Sequence, residues 1–245
     1  MSQLPRSFIA QESFYRVHAS QILYEDNHLL VLDKPADWIV QGAATDQRSL
    51  LESARMYIKS KYQKPGNVYL GVVSRLDAPV TGVVPFARTS KCASRLSEQF
   101  RLHKVDKEYW AIVAGTPPAI ESRLEHYLLR RPNETVTRVC KADHPEAQAA
   151  ILEYRVVACS QGKTHLKLKL ISGRKHQIRC QLAHIGCPIL GDKLYGSVDS
   201  FPQGIALHCH RLEFEHPTTK EHLKIIAPPP IYWPNAPRRE LRIEN

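Results

Sequence analysis

The chain has 245 residues, 43% of them hydrophobic, so it can bury a substantial core as one large domain or two small ones. Its 34 Lys and Arg residues outnumber the 24 Asp and Glu residues, and the net charge of +10 indicates a polyanionic partner such as nucleic acid. No segment approaches about 18 consecutive apolar residues, which excludes a membrane-spanning helix, and residues 1–19 lack the apolar core of a signal peptide. We therefore expect a cytoplasmic protein without a membrane partner.

The first half of the chain predicts short strands and two helices after an irregular N-terminal arm over residues 1–19. In chain order the predicted elements are strands at 22–24, 29–32, 70–73 and 83–86 and helices at 49–61 and 90–100. In both helices apolar side chains recur every three or four positions. Thr89 or Ser90 would cap the second helix.

The second half returns to a period of two and ends in a tail rich in Pro and Arg. Its predicted elements are strands at 109–113, 151–157, 165–170, 205–214 and 222–226 and a helix over 174–185 that Gly186 ends. Residues 117–149 are polar with weak periodicity, which indicates loops with short strands. Because strand hairpins dominate, the sequence predicts an α+β fold with a largely antiparallel sheet.

The residue types also restrict the chemistry. The six cysteines form no Cys-x-x-Cys pair and are widely scattered, which argues against a structural zinc site and a disulfide framework. His208 and His210 would share one face of a strand, but no third ligand has recognisable spacing, so packed or solvated histidines are favoured. No Gly-rich nucleotide loop and no hydrolase motif is present. We expect no metal, and chemistry carried by a carboxylate as nucleophile or as acid and base.

Two stretches could carry that chemistry. Arg75 and Asp77 stand two positions apart at the end of a predicted strand, so their side chains share one side, and these residues alone favour a structural ion pair. The second stretch, residues 173–179, opens a predicted helix, where free N–H groups and the macrodipole attract an anion. Cations there oppose the dipole, so Arg174 and its basic neighbours favour anion binding over a solvated first turn.

Three segments together resemble the RluA-type RNA pseudouridine synthases. They are residues 29–35, residues 75–88 with Arg75-Leu76-Asp77, and residues 171–196 with Gly173-Arg174-Lys175-His176-Gln177-Ile178-Arg179, and Lys107-Glu108-Tyr109 lies between them in the expected order. The resemblance runs from about residue 22 to about residue 226. It implies isomerisation of uridine to pseudouridine within tRNA or rRNA, on a mixed, mainly antiparallel sheet with flanking helices and an active-site cleft, without metal or cofactor.

The resemblance also implies roles for individual residues. Asp77 would be the nucleophile, Arg179 would pair with its carboxylate, and Tyr109 would stack on the uracil and assist the final proton removal. Arg75 would take the place of the target base in the RNA stack. The other implied site residues are Arg174, His176 and Gln177 for RNA binding and Ile171 and Leu76 for the walls of the pocket.

These roles agree with the demands of the reaction. The target base must leave the RNA stack before its ring can be detached and turned, and a planar arginine can fill the vacated space. An ionised Asp77 could attack the sugar at C1′, attack the uracil at C6, or abstract a sugar proton, and residue identity does not choose among these routes. Stabilising charge on the departing uracil would help to break the glycosidic bond.

The chain departs from the family pattern in two places. Ser74 stands where many members have His, and residues 80–81 are Val-Thr where Thr-Ser is common. Neither departure removes a proposed catalytic group. Only about twenty residues precede the first strand, too few for the S4 RNA-binding domain that many members carry. We expect a synthase domain over residues 20–232, a tail over residues 233–245, and a monomer.

Two other classes of function compete with a synthase. A catalytically silent RNA-binding protein could keep the same fold, although the presence of Asp77 together with its three matched partners argues against silence. A basic carboxylate enzyme such as a glycosidase would need a second carboxylate flanking the bond, and none is obvious near Asp77 in the sequence.

Overall fold

The computed structural model describes residues 17–42 and 49–234. These residues contain eleven strands and three α-helices. The strands are β1 (Ile22–Glu25), β2 (Leu29–Lys34), β3 (Gly71–Val72), β4 (Thr81–Ala87), β5 (Asp106–Ala114), β6 (Glu121–Leu129), β7 (Arg138–Cys140), β8 (Gln148–Ser160), β9 (Lys163–Leu170), β10 (Leu207–Glu215) and β11 (His222–Ile226). The helices are α1 (Leu50–Lys61), α2 (Ser90–Arg101) and α3 (Gln177–His184), and single 3₁₀ turns lie at Ala19–Gln21 and Lys193–Tyr195. None of these helices is long and apolar enough to span a bilayer.

The strands form one sheet in the order β1-β2-β4-β10-β5-β9-β8-β6-β7, with β3 added to β4 and β11 added to β10. All pairings within the described residues are antiparallel except that of β4 with β10. The predicted α+β class with a mixed, mainly antiparallel sheet is therefore confirmed. The parallel pair requires glycine at Gly82, where φ is 113° and a Cβ would collide with the carbonyl oxygen of Cys209. This close approach joins the two halves of the sheet beneath the segment that carries Asp77.

Side-chain caps define the starts of α1 and α2, and the sequence predicted the cap of α2. Ser49 accepts the N–H of Glu52 at 3.3 Å, and the Glu52 carboxylate accepts the N–H of Ser49 at 3.1 Å. Thr89, rather than Ser90, caps α2 by accepting the N–H of Cys92 at 3.2 Å. The apolar stripe of α2 then buries Cys92 and Leu96 against the sheet.

Two predicted boundaries were wrong. The strand predicted at residues 70–73 pairs only over β3, so Arg75 and Asp77 lie in the irregular segment between β3 and β4 and not on a strand. The helix predicted from residue 174 begins at Gln177, because His176 adopts a left-handed conformation with φ of 54°. The stretch over residues 117–149, predicted as loops with short strands, contains the short β7 and also β6, a nine-residue strand in which only Leu124 and Leu128 are buried. One buried residue in every four does not produce a strand's period of two.

Buried apolar side chains form two main clusters and a small third one. One main cluster packs α1 on β2 and β4, and the larger one lies along β5, β9 and β10. Leu76 packs against both main clusters, so the segment with Asp77 stands where they meet. Trp233, the first residue of the expected tail, is buried in the larger cluster. The rest of that tail from residue 235, and the expected arm up to residue 16, lie outside the described residues.

Candidate active site

Asp77 lies at the start of a tight turn that leads into β4. Its carbonyl accepts the N–H of Val80 at 3.0 Å, and the carbonyl of Pro79 accepts the N–H of Ile205 at 3.1 Å. The carbonyl of Ala78 accepts the N–H of Asp37 at 2.8 Å. The turn is thus attached to two other parts of the chain, which fixes the backbone on which the carboxylate stands.

A buried lysine also forms a hydrogen bond with the backbone of this turn. Lys34 is fully buried, and its ammonium donates to the carbonyls of Ala78 and Trp38 at 2.7 Å and of Pro35 at 2.9 Å. Burial lowers the pKa of Lys34 to about 7, against the opposing charges of Asp37 and Asp77. Three carbonyl acceptors require three ammonium hydrogens, so this geometry is that of the charged form.

Arg179 on α3 joins Asp77 to a second carboxylate. Its Nη1 donates to Asp77 Oδ2 at 3.1 Å, while Nε and Nη2 donate to the two oxygens of Asp192 at 2.7 and 2.8 Å. Burial alone would lower the pKa of Arg179, but the hydrogen bonds and charges of Asp192 and Asp77 raise it above its usual value. The bidentate pair with Asp192 fixes the guanidinium plane, so its remaining N–H group is directed at Asp77.

His176 approaches the same carboxylate from the start of α3. Its Nε2 is 3.5 Å from Asp77 Oδ2, and its Nδ1 is 3.0 Å from the hydroxyl of Tyr195. That hydroxyl already accepts the N–H of Thr137 at 2.8 Å, so its own hydrogen can be donated to Nδ1. Burial lowers the pKa of His176, and Arg179 lowers it further, against the charge of Asp77. The neutral ring then carries its hydrogen on Nε2, facing Asp77.

Tyr109 on β5 supplies an aromatic ring to the same cleft. It is 8% exposed, and burial raises its pKa well above the usual value, helped by a hydrogen bond with the thiol of Cys209 on the paired strand. Burial also raises the pKa of Cys209 to about 12. Both groups are therefore protonated at neutral pH, and the ring is a neutral surface.

These side chains line one cleft of about 1160 Å³, larger than a typical small-molecule pocket. Among the described residues that line it, Asp77 is the single carboxylate. The cations that line it are Arg75, Arg101, Lys107, Arg174, Lys175 and Arg179. A lining with six cations and one carboxylate suits a polyanionic ligand.

The predicted RNA-binding residues divide between the cleft surface and the interior. Arg75 and Arg174 are exposed and line the cleft, and Arg174 also donates to the carbonyl of Ala149 at 3.1 Å. Gln177 is buried, and its oxygen accepts from the hydroxyl of Ser172 at 2.8 Å and from the N–H of Arg174 at 3.0 Å. Its amide nitrogen donates to the backbone of Ile151 and to Gln181, both at 3.0 Å. All four hydrogen-bonding positions are occupied within the protein, so Gln177 braces α3, and its contact with RNA stays a prediction.

The two residues expected to wall the pocket differ in placement. Leu76 is half-buried and lines the cleft beside Asp77. Ile171 does not line it, and Leu170 takes that position. Side chains alternate along an extended chain, so Leu170 shares the buried face of Leu168, opposite Tyr109, and the next residue leaves that face.

His208 and His210 are packed side chains, which confirms the interpretation favoured from the sequence. His208 is fully buried between the hydroxyl of Thr81 at 2.8 Å and the carbonyl of Ala227 at 3.0 Å, and burial lowers its pKa to about 3. His210 stacks on Trp110 with ring centroids 3.9 Å apart. Within the described ranges no group of three His, Cys, Asp or Glu side chains could hold a metal ion.

Sequence reasoning missed three residues that position the site. Asp192 and Tyr195 lie in the third segment of the resemblance, but no role was attached to them. Lys34 lies in the first segment of the resemblance, again without a role attached. The sequence marked Asp192 and Tyr195 only by the glycines beside them, Gly191 and Gly196. Their contacts, of Asp192 with Arg179 and of Tyr195 with His176, arise only when the chain is folded.

Comparison with known proteins places these features in a family. The sequence family described as RNA pseudouridylate synthase matches residues 28–184. Ribosomal large subunit pseudouridine synthase D of Vibrio cholerae is 33% identical over 227 residues, which cover 85% of this chain and 67% of that protein. Ribosomal large subunit pseudouridine synthase C of Buchnera aphidicola is 31% identical over 217 residues, again covering 85% and 67%. The chain thus spans about two thirds of the length of these relatives.

Two solved structures share the fold. Human RNA Pseudouridylate Synthase Domain Containing 4 has a TM-score of 0.74 at 23% identity, over 90% of this chain and 92% of that one. Human RNA Pseudouridylate Synthase Domain Containing 1 has a TM-score of 0.67 at 20% identity, over 87% and 86%. The mixed sheet with its cationic cleft is therefore a pseudouridine synthase fold. With its long family match and its relatives above 30% identity, the chain belongs to the RNA pseudouridylate synthase family.

Proposed function

We propose that this protein isomerises uridine to pseudouridine in RNA, with Asp77 as the catalytic carboxylate. The observation that carries the proposal is the position of Asp77, the one carboxylate among the described residues of a cleft that six cations line. Arg179 donates to Asp77 Oδ2 at 3.1 Å and so holds the carboxylate in place. The side chain of Asp77 remains 26% exposed to the cleft, so a substrate atom can reach it.

The reaction needs no second substrate. The bond between N1 of the uracil and C1′ of the ribose breaks, a bond between C5 and C1′ forms, and the proton lost from C5 is balanced by one gained at N1. Attack of Asp77 at C1′, attack at C6 and abstraction of a sugar proton all begin from the ionised carboxylate. Arg179 and His176 place N–H groups beside that carboxylate, which limits its rotation during each of these routes.

The exposed and buried residues of the cleft have different parts in the proposal. Arg75 fills the vacated place in the RNA stack with its planar guanidinium. Tyr109 offers its ring to the displaced uracil. Because burial raises the pKa of Tyr109 well above its usual value, its neutral phenol is a poor base, and its part in the final proton removal stays a prediction. Tyr109→Phe, which keeps the ring and removes the hydroxyl, tests that part.

The names of the relatives favour one class of RNA. The similar proteins of Vibrio cholerae and Buchnera aphidicola are named for the large ribosomal subunit, so we propose large-subunit rRNA as the substrate ahead of tRNA. We propose the cytoplasm as the compartment of the reaction. A monomer that acts without cofactor or metal stays a prediction.

The proposal is tested by mapping pseudouridines in rRNA and tRNA from cells with and without the gene. We expect one or a few rRNA uridines to lose their modification in the deletion strain and to regain it with wild-type protein. Asp77→Asn should lower the rate at those uridines by at least about a thousandfold, as expected when an attacking group is removed. The matched control is Glu108→Gln, a carboxylate on the opposite face of β5 from Tyr109, and it should restore the modification.

Two outcomes would contradict the proposal. Full restoration by Asp77→Asn would exclude this carboxylate from the chemistry. Identical maps in the wild-type and deletion strains, together with retained RNA binding, would favour a catalytically silent RNA-binding protein.

A further inference from the structure

Lys107 is a buried cation that the proposed mechanism does not use. Its side chain is 9% exposed and lines the same cleft as Asp77. Within residues 17–42 and 49–234, its ammonium makes no hydrogen bond and no ion pair, although the nearby Asp106 pairs with Lys169 at 3.8 Å. Burial lowers the pKa of Lys107, and the neighbouring Cys209 and Asp106 oppose that shift only in part. A cation in such a place costs free energy until an anion joins it.

The space beside this ammonium is kept open by a glycine. A Cβ at Gly173 would lie 3.7 Å from Nζ of Lys107, so any larger side chain there would stand where a ligand atom could contact the ammonium. Gly173 is exposed and lines the cleft, directly before Arg174. The ammonium of Lys107 therefore has unfilled space beside it on the side that faces the cleft.

The position of Lys107 relative to Tyr109 indicates what the ligand is. Both side chains lie on the same face of β5, because they are two residues apart, and both line the cleft. Two residues span about 7 Å along a strand, the scale of one nucleotide. Uracil is neutral before the reaction, whereas each nucleotide carries a full negative charge on its phosphate, and a compact ammonium is suited to that charge.

We propose that Lys107 binds a phosphate of the RNA strand next to the target uridine, in the space that Gly173 leaves open. This inference rests on the proposed function, since it takes RNA as the ligand. It adds a buried phosphate contact to the exposed arginines of the cleft. Among the described residues this cation has no hydrogen-bonded or ion-paired partner, so phosphate binding removes an existing cost and does not compete with an ion pair.

The test measures the salt dependence of binding to octauridylate with a fluorescent label at its 5′ end. For a single strand, each phosphate contact adds about 0.7 to the slope of log affinity against log salt. We expect Lys107→Met to reduce the slope by about 0.7, and Lys107→Arg to retain it because the charge remains. The matched control Lys163→Met removes an exposed cation at the other end of β9 and should leave the slope unchanged.

A second measurement separates phosphate binding from a structural role. Lys107→Met removes an unpaired buried charge, so its free energy of unfolding should equal or exceed that of wild-type protein. An unchanged slope in Lys107→Met would overturn the inference, and a loss of stability together with that unchanged slope would make Lys107 structural. Failure of wild-type protein to bind octauridylate in a salt-dependent manner would instead count against the RNA-binding part of the proposed function as well. Pseudouridine mapping of the wild-type strain tells these two failures apart.

Discussion

The cleft around Asp77 and a second concave surface of the sheet are each lined by six cations, yet only the cleft is strongly basic. The second surface, here called the outer concavity, has a volume of about 680 Å³. Its charged lining residues are Lys107, Arg123, Arg155, Lys167, Lys169 and Arg211 and the carboxylates Asp106, Glu108, Glu121 and Glu153. Within the described residues the cleft has one carboxylate where the outer concavity has four.

Several cations of the outer concavity have a carboxylate partner. Arg123 meets Glu153 at 2.9 Å, and Lys167 and Arg211 each meet Glu108 at 3.0 Å. Such partly exposed pairs contribute little to stability, but four carboxylates among six cations leave a much smaller net positive charge for a polyanion than the cleft offers. The number of cations on a surface is therefore a weaker guide to an RNA-binding site than the balance of cations and carboxylates.

The largest contrast between the two surfaces should appear in stability. Asp192→Asn leaves Arg179 buried with only Asp77 as a charged partner, and we expect a loss of about 3 kcal/mol in the free energy of unfolding. Glu153→Gln breaks a pair in the outer concavity and should cost less than about 1 kcal/mol. Urea unfolding at neutral pH measures both variants. Equal losses of unfolding free energy in the two variants would show that the buried pair of Arg179 with Asp192 is no more important for stability than the exposed pair of Arg123 with Glu153.

The second contrast lies in RNA binding. Arg174→Ala should reduce the salt slope for labelled octauridylate by about 0.7, because an exposed cation of the cleft is removed. Lys167→Met removes a cation that Glu108 already neutralises, so we expect its slope to match that of wild-type protein. A reduced slope for Lys167→Met would extend the RNA path to the outer concavity, and an unchanged slope for Arg174→Ala would remove that residue from the phosphate contacts.

The smallest expected effect is a pH dependence of the cleft alone. The pKa of His176 is lowered from 6.5, mainly by burial, so the ring is neutral at neutral pH and gains its charge only in acid. Between about pH 7.5 and about pH 5, the salt slope of wild-type protein should therefore steepen more than that of His176→Asn. Asn tolerates the left-handed backbone at this position, which makes it the suitable control. Equal steepening in the two proteins would exclude His176 as the source.

Much of the fold was predictable from the sequence because its signals are local. The capping residues Ser49 and Thr89 fixed the starts of two helices, and alternating apolar residues marked β9. The strand β6 was not predictable, because only Leu124 and Leu128 are buried on it and its polar positions resemble a loop. Likewise no local pattern shows that His176 takes a left-handed conformation and delays the start of α3.

The site was less predictable because its contacts join distant positions. Asp77 and Arg179 are 102 positions apart and were connected only through the family resemblance, and the structure places them 3.1 Å apart. The interior hydrogen bonds of Gln177 could not be foreseen, since an amide in a basic segment has the same appearance whether it faces RNA or the interior. Asp192 was missed for the same reason, because its importance arises from the burial of Arg179.

The hydrogen bonds of Lys34 to the backbone around Asp77 have a consequence for the order of events during turnover. Because the turn is already attached to Lys34, to Asp37 and to Ile205, the entropy of ordering it is lost during folding and not at each encounter with RNA. Arg75, two positions before Asp77, makes no ion pair among the described residues and keeps its rotamer freedom. Weakening the Lys34 contacts would therefore slow every catalytic cycle even where the folded state survives.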